Sequence, residues 1–391
     1  MALGGREAMY YSYKKIGSIL LACLFIIFLS DGVIEAKSLN SKNKKKAPQA
    51  RLASYASSTI LTHFLGPDDL GPHSYRHSIF ERNGIVYTTK AGHIDIAHVR
   101  KFIDWTAFLT EKTYANLMKN KTEFKFKTKA PSIYHVEIVY PAYWKVLSEK
   151  QKEYTAYSIA IKLGQYFAYT ESVWHEILTW FGFKTVGFCP EFPSAFSWED
   201  TFSNVFGTHI AVMALQDEEH EYDEAVTFAL NQELAKLGIQ SANTARRKAE
   251  RMRGRWFSGD VFVDIKKRNF DIGLENGFVT PCVTPSFTKY DTTIIQSYPV
   301  PNLDFLSDYG FTVRLEIEPK EWEKGKILKI VYPEAKTRNK RICPVVHFAP
   351  IMDHIKKAAA SKYNKEPEYQ VATAHQIKPS GGLPYTAHFA D

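Results

Sequence analysis

Apolar residues recur at helical spacing through the middle of the chain and gather into short runs on either side. From Asp95 to about Leu117 they fall at Ile96, Val99, Phe102, Ile103 and Leu109, one face of a helix. The strongest periodic run is Gln151 to Phe181, with Ala156, Ile159, Ala160, Leu163, Phe167, Val173 and Ile177, and it stops at Gly182. Ser197-Trp198-Glu199-Asp200 has the spacing of a capping box and predicts a helix running to about Gln216. Two further helices are expected over Glu221–Leu237 and Asn243–Arg253. Short runs bounded by turn residues predict strands at Gly84–Thr88, Tyr134–Tyr140, Phe262–Ile265, Thr312–Ile317 and Ile327–Tyr332. This pattern is that of an α+β fold, with a predominantly helical centre and strand-rich flanking and C-terminal segments.

The N-terminus follows a different rule. Lys14 and Lys15 precede an uninterrupted apolar run, Ile16 to Leu29, about the length of a signal-peptide core and short for a full membrane span. Residues 1–36 therefore read as a signal peptide ending near Ala36, or as an N-terminal membrane anchor through 16–29. Either way the body is expected to be exported, periplasmic or associated with the cell envelope. No later segment is apolar for long enough to span a bilayer, so membrane contact is expected only through the N-terminus. Residues 37–55 read as a basic linker, 56–368 as the main globular domain and 369–391 as a loose C-terminal tail.

Charge changes the picture once it is located. The chain of 391 residues carries +8, but the first 51 residues hold nine Lys/Arg against three acids, leaving only +2 for the rest. A nearly neutral body lacks the concentrated basic face that a nucleic-acid partner requires. Hydrophobic residues make up 45%, too many for a disordered chain. Beyond the leader only Cys189, Cys282 and Cys343 remain, too few and too widely spaced for a zinc knuckle or a dense disulfide framework.

Four clusters concentrate reactive side chains. In Gly92–Arg100, Asp95 and His98 are three apart and share a face if both are helical, and Arg100 forms another reachable pair with Asp104, four residues on. A histidine beside an acid can act as a base or a metal ligand, because the acid fixes its tautomer. In Glu171–Glu176, Glu171 and His175 lie one turn apart; the second histidine of an HExxH zinc motif is replaced by Thr179. Asp200, Ser203, Asn204 and Gly207 form a polar stripe on one predicted helix. The fourth cluster is the loop Leu70–Tyr75, with His73 and Tyr75. Each also has a structural reading, as a cap, an ion pair or an internally bonded helix contact.

Leu70–Tyr75, Asn83–Thr88, Gly92–Arg100 with Asp104, Trp174-His175-Glu176 and Phe196–Gly207, taken in order, resemble the domain of unknown function 4056 family. The likeness spans roughly residues 60–350. It implies an exported bacterial envelope protein and brings no catalytic assignment.

No nucleophile elbow, phosphate-binding loop or dinucleotide fingerprint is present. The residues point first to an exported hydrolase of unspecified substrate with a His/acid site. In it a divalent metal such as zinc is held by His98 and His175, with Glu176, Asp200 and Asp104 as catalytic acids and bases and His73, Tyr75 and Asn204 contacting substrate. Without metal, paired acids would suit glycoside hydrolysis. The alternative is a non-catalytic envelope protein that binds glycan, peptidoglycan, peptide or lipid through its 22 Tyr and 7 Trp.

Overall fold

In the computed structural model the described residues are 62–363 apart from 186–188, 191, 261–262, 286–293 and 335–339, together with 46–49, 51, 56, 57 and 59. The apolar leader lies outside them. Among the described residues no helix is long and apolar enough to cross a membrane.

The first elements are a hairpin, β1 (Ile85–Thr88) and β2 (Gly92–Asp95), paired antiparallel with Ile85 opposite Asp95. Gly92 takes φ +68 at the turn, where a side chain would strike the Cys282 carbonyl. The chain then enters α1 (Ile96–Met118) without a loop. Asp95 manages the switch: the last strand residue is also the N-cap, and its carboxylate accepts from the Ala97 amide at 2.8 Å. Two strands follow, β3 (Glu123–Phe126) and β4 (Ile133–Val139), and then α2 (Glu149–Trp180). Ser148 and Gln151 close a reciprocal capping box at its start.

After the paired two-residue strands β5 (Lys184–Thr185) and β6 (Cys189–Pro190) come α3 (Asp200–Leu215), α4 (Tyr222–Lys236) and α5 (Ala242–Glu250). Short pairings β7 (Phe257–Ser258) with β8 (Asp264–Ile265), and β9 (Phe278–Val279) with β10 (Tyr298–Pro299), lead to β11 (Thr312–Glu318). β11 returns to pair with β4, making an antiparallel sheet in the order β11-β4-β3. The chain ends in α6 (Lys324–Val331) and α7 (Pro344–Tyr363).

The centre is the packing of α1 on α2 and α3. Two glycines set how closely these helices approach. A Cβ at Gly164 would meet Thr110 Oγ1 at 2.3 Å, and one at Gly207 would meet the Val99 carbonyl at 2.4 Å. The helix backbones therefore run nearly in contact, and polar groups on α1, α2 and α3 are brought into one neighbourhood. Phe102, Phe167, Phe202, Phe206 and Trp174 fill the rest of this interface and are almost fully buried.

The expected strand-rich C-terminus is wrong. As a short run bounded by turn residues Ile327–Tyr332 predicts a strand, but most of it is helical in α6, which buries Ile327 and Leu328. The long α7 follows it, stacking Phe348 on Trp174 at 6.5 Å. The molecule is a mixed fold in which β11 is the last strand among the described residues and the last two regular elements are helices. Packing on the core, rather than local β propensity, decides the conformation there.

Candidate metal centre

Asp95, His98 and Asp200 offer donor atoms that all lie within 4.8 Å of one another. His98 Nδ1 stands 2.8 Å from Asp95 Oδ2 and 3.2 Å from Asp200 Oδ1. Asp95 comes from the strand end, His98 from the first turn of α1, and Asp200 from the first residue of α3. The local folding explains the arrangement. Capping α1 uses Asp95 Oδ1 and turns Oδ2 toward His98. The Asp95 amide donates to Ser203 Oγ at 2.9 Å, and Ser203 donates to the Glu199 carbonyl at 2.7 Å, which ties β2 to the start of α3.

The expected capping box at Ser197 does not form. The N-cap of α3 is Glu199, and no side chain caps it. Asp200 instead lies against His98 at 3.2 Å, where a buried charge partner is worth more than a local cap.

Burial alone would depress His98, but the Asp200 and Asp95 carboxylates outweigh it and hold the imidazole up at about 9. Burial pushes the Asp200 carboxyl well above the usual carboxylate range, with Glu199 and Glu176 adding repulsion against the attraction of His98. Burial likewise raises Glu176, although the Phe196 amide donates to its Oε2 at 2.6 Å and His98 is nearby. Glu199 is raised to about 7 by burial, while the Ala56 amide donates to it at 2.9 Å. Three elements thus crowd four acids around one imidazole in a nearly dry space. A divalent cation suits this donor set of two carboxylates and an imidazole in mutual reach.

The sequence-predicted residues divide into two groups. His98, Asp200 and Glu176 come together electrostatically, and Asn204 lies one turn beyond Asp200 with a buried Oδ1 lacking any hydrogen-bond partner among the described residues. His175 is not one of the three clustered donors; its ring meets Phe183 edge-on at 5.9 Å, and burial, with Lys101 and His98 nearby, drives it well below its ordinary value. His175 therefore sits beside the centre as a neutral imidazole.

His73, Tyr75 and Asp104 belong to a second buried cluster. His73 Nε2 is 3.0 Å from Asp104 Oδ1, and its Nδ1 is 3.2 Å from Glu81 Oε1. Arg51 donates to Glu81 at 2.9 and 3.0 Å and to Asp104 at 2.6 Å, while Arg100 Nη1 is 3.2 Å from Glu81. Arg76 and His77 take positive φ, 69 and 84, and this turn aims the Arg76 amide at Asp104 at 3.1 Å. Tyr75 sends its hydroxyl to the Lys46 carbonyl at 2.7 Å. The side chains of Arg51, His73, Glu81 and Asp104 have no exposed surface, so this cluster reads as an internal brace. Arg51 and Glu81 carried no signal in the sequence beyond being charged. Glu199 carried one, since it and Asp200 form an acid pair inside an aromatic run.

A family model described as "Protein of unknown function (DUF4056)" matches residues 60–276. The chain belongs to the DUF4056 family. That span contains Asp95, His98, Glu176, Asp200 and the His73 loop, so the centre falls inside the matched region, as do the brace residues His73, Glu81 and Asp104, while Arg51 lies before it. No curated protein and no solved structure matches the chain.

Proposed function

We propose that this DUF4056 protein is an exported, divalent-metal-dependent hydrolase with its centre at Asp95, His98 and Asp200. The observation that carries the reading is the convergence of those three donors from three separate elements, at the cost of burying several acids. Zinc suits the mixed carboxylate and imidazole set. A bound divalent cation would supply a Lewis acid and lower the pKa of a coordinated water. The Ala97 amide holds Asp95 through Oδ1, leaving Oδ2 and His98 Nδ1 as the donors these two residues would offer a cation. Glu176, close enough to feel His98 and raised by burial, would accept and return a proton. Asn204 would present its buried amide oxygen to a substrate donor. Export, and residence in the periplasm or envelope, rest on the leader and on the neutral body.

The distribution of aromatics favours this reading over a stacking platform for glycans. Trp105, Trp144, Trp174, Trp180 and Trp198 are all buried, so most of the 7 Trp serve the core.

The test is metal content together with hydrolysis. The full chain, dialysed against zinc and then against buffer, should retain one zinc per molecule and cleave at least one of a panel of ester, amide, glycosidic and phosphodiester substrates. His98→Ala and Asp200→Asn should each lose both properties while keeping the wild-type circular dichroism spectrum. A wild type that retains no metal, or folded variants that retain it fully, would remove the proposal.

A further inference from the structure

The turn that follows the His73 loop carries its apolar residues outward. Ile79 and Phe80 are neighbours in the chain and stand 68% and 69% exposed, although the next residue, Glu81, is buried in the brace. The backbone is fixed on both sides of them. The Ser74 amide donates to Glu81 Oε1 at 2.9 Å, the Glu81 amide to the Ser78 carbonyl at 3.1 Å, and the Arg82 amide to the Leu70 carbonyl at 3.0 Å. Arg76 and His77 enter the left-handed region to close the turn, a conformation that costs energy in non-glycine residues and that the buried ion pairs enforce. Two large apolar side chains held in water on such a turn gain by being covered, and a turn already fixed gives up little conformational freedom when they are.

The N-terminal chain enters the body at this same turn. The Tyr75 hydroxyl donates to the Lys46 carbonyl at 2.7 Å, and Arg51 donates to the Ser74 carbonyl at 3.0 Å. Lys42, Lys44 and Lys45 precede Lys46 in the sequence, and before them comes the apolar run Ile16–Leu29. The charges around the turn are sorted by depth. Glu81 and Asp104 are sealed inside the brace with no exposed side-chain surface, whereas Lys46 is exposed, and the Arg82 side chain, also exposed, meets Asp69 only at 4.0 Å. With Glu81 set aside in the brace, residues 42–46 and 68–82 carry six Lys/Arg against two acids, Asp68 and Asp69, in a body that is otherwise nearly neutral. An apolar tip flanked by cations, where an apolar leader joins the body, matches the two layers of an anionic bilayer surface. Headgroup phosphates answer the cations, and the acyl boundary beneath them takes the apolar side chains.

We infer that the Tyr75–Arg82 turn is a membrane-docking tip: Ile79 and Phe80 enter the interface of an anionic phospholipid bilayer, while Arg82 and the lysines ending at Lys46 hold its headgroups. This contact is separate from any that the leader makes and does not depend on the reaction at the metal centre.

Vesicle flotation of the full chain tests it. Leu21→Gln, Phe25→Gln and Phe28→Gln together interrupt the apolar run of the leader without changing charge, so that binding by this background chain reports the body. It should float with vesicles of equal parts phosphatidylglycerol and phosphatidylcholine, bind pure phosphatidylcholine about tenfold more weakly or worse, and detach as salt is raised. Adding Ile79→Ser with Phe80→Ser should weaken binding to the anionic vesicles about tenfold or more, as expected when two large apolar side chains are no longer buried. Adding Lys46→Gln with Arg82→Gln should weaken binding to the anionic vesicles and leave the phosphatidylcholine result unchanged. Trp322→Ser, which removes a fully exposed tryptophan elsewhere on the surface, should have no effect. Each variant should keep the circular dichroism spectrum of the background chain. The proposal is overturned if the background chain ignores the anionic vesicles, if it binds the two compositions equally, or if it binds as well with Ile79 and Phe80 replaced.

Discussion

Arg51 shows how much one residue can hold that no local pattern announces. It falls within a stretch that reads as a basic linker, yet its guanidinium is sealed between Glu81 and Asp104 and also donates to the carbonyls of Ser74 and Arg100. Burial works against its charge, but Asp104 and Glu81 outweigh that and keep it firmly ionised; in return Arg51 is the main influence holding Glu81 low against burial. Truncating it would leave two buried carboxylates with only His73, His77 and Arg100 to answer them. Arg51→Met should therefore cost about 3–5 kcal/mol, the range for breaking a buried ion pair from one side. Urea denaturation monitored by tryptophan fluorescence would show it; a loss of less than about 1 kcal/mol would mean that the brace is redundant. The contrast with His98 is instructive. His98 was legible because its acid, Asp95, lies three residues away on the same turn. Arg51 is 30 residues from Glu81 and 53 from Asp104, and pairing over such separations is created by the tertiary fold.

At the scale of elements, periodicity told most where burial is one-sided and long. The run read as Gln151–Phe181 appears as α2, Glu149–Trp180, because a long apolar face tolerates local exceptions. The start of α3 was misread because Ser and Asp three apart serve equally well as a cap or as a site, and only the position of His98 separates the two. The hairpin offers a sharper test. His93 on β2 reaches across to α5, where its Nε2 donates to the Ala245 carbonyl at 3.1 Å, and its Nδ1 has no partner among the described residues. Burial, moderated by that bond, lowers its pKa from 6.5 to about 4. The folded value lies below the unfolded one, so between them the unfolded chain takes up a proton that the native protein refuses. Stability is complete above about pH 6.5, falls as pH drops toward 4, and loses nothing more from this group below that. The loss should be about 3 kcal/mol at most, from 1.36 kcal/mol for each pKa unit. Urea midpoints measured from pH 7 to pH 4 (a range set by the two pKa values) should show this slope in wild type. It should flatten in His93→Gln, whose amide can still donate to Ala245 but does not titrate in that range. Equal slopes in the two proteins would assign the acid sensitivity to other groups.

Over the whole molecule, the family region and the structural unit have different limits. The family match ends at 276, but the core does not. β4 is the middle strand of its sheet, and its partner β11 lies beyond that limit, setting Leu315 opposite Val136 and Ile317 opposite Tyr134. Glu321 is buried and accepts from the Ser132 amide at 2.9 Å, and Trp174 of α2 in turn donates to Ser132 Oγ at 2.9 Å. α7 closes the same region, with Ile351, Met352 and Ile355 buried in the core that also holds α1 and α2. In the C-terminal third the strand expected at Thr312–Ile317 appears as β11, but its pairing with β4 and the helix α7 were not legible, because both return to elements formed about 170 residues earlier and local propensity says little about such returns. A fragment of residues 60–276 would expose one edge of β4, the apolar face of α2 toward Phe348, and the unpaired Ser132 amide. It should lack a sharp thermal transition and should bind a hydrophobic dye, because these losses remove a shared core rather than a peripheral layer. A fragment of residues 46–363, which keeps Arg51, β11 and α7, should melt in one cooperative calorimetric transition with the zinc stoichiometry of the full chain. Cooperative melting by the shorter fragment, with a native near-ultraviolet spectrum, would show that residues beyond 276 are an accessory layer, and that the metal centre needs only the region its family shares.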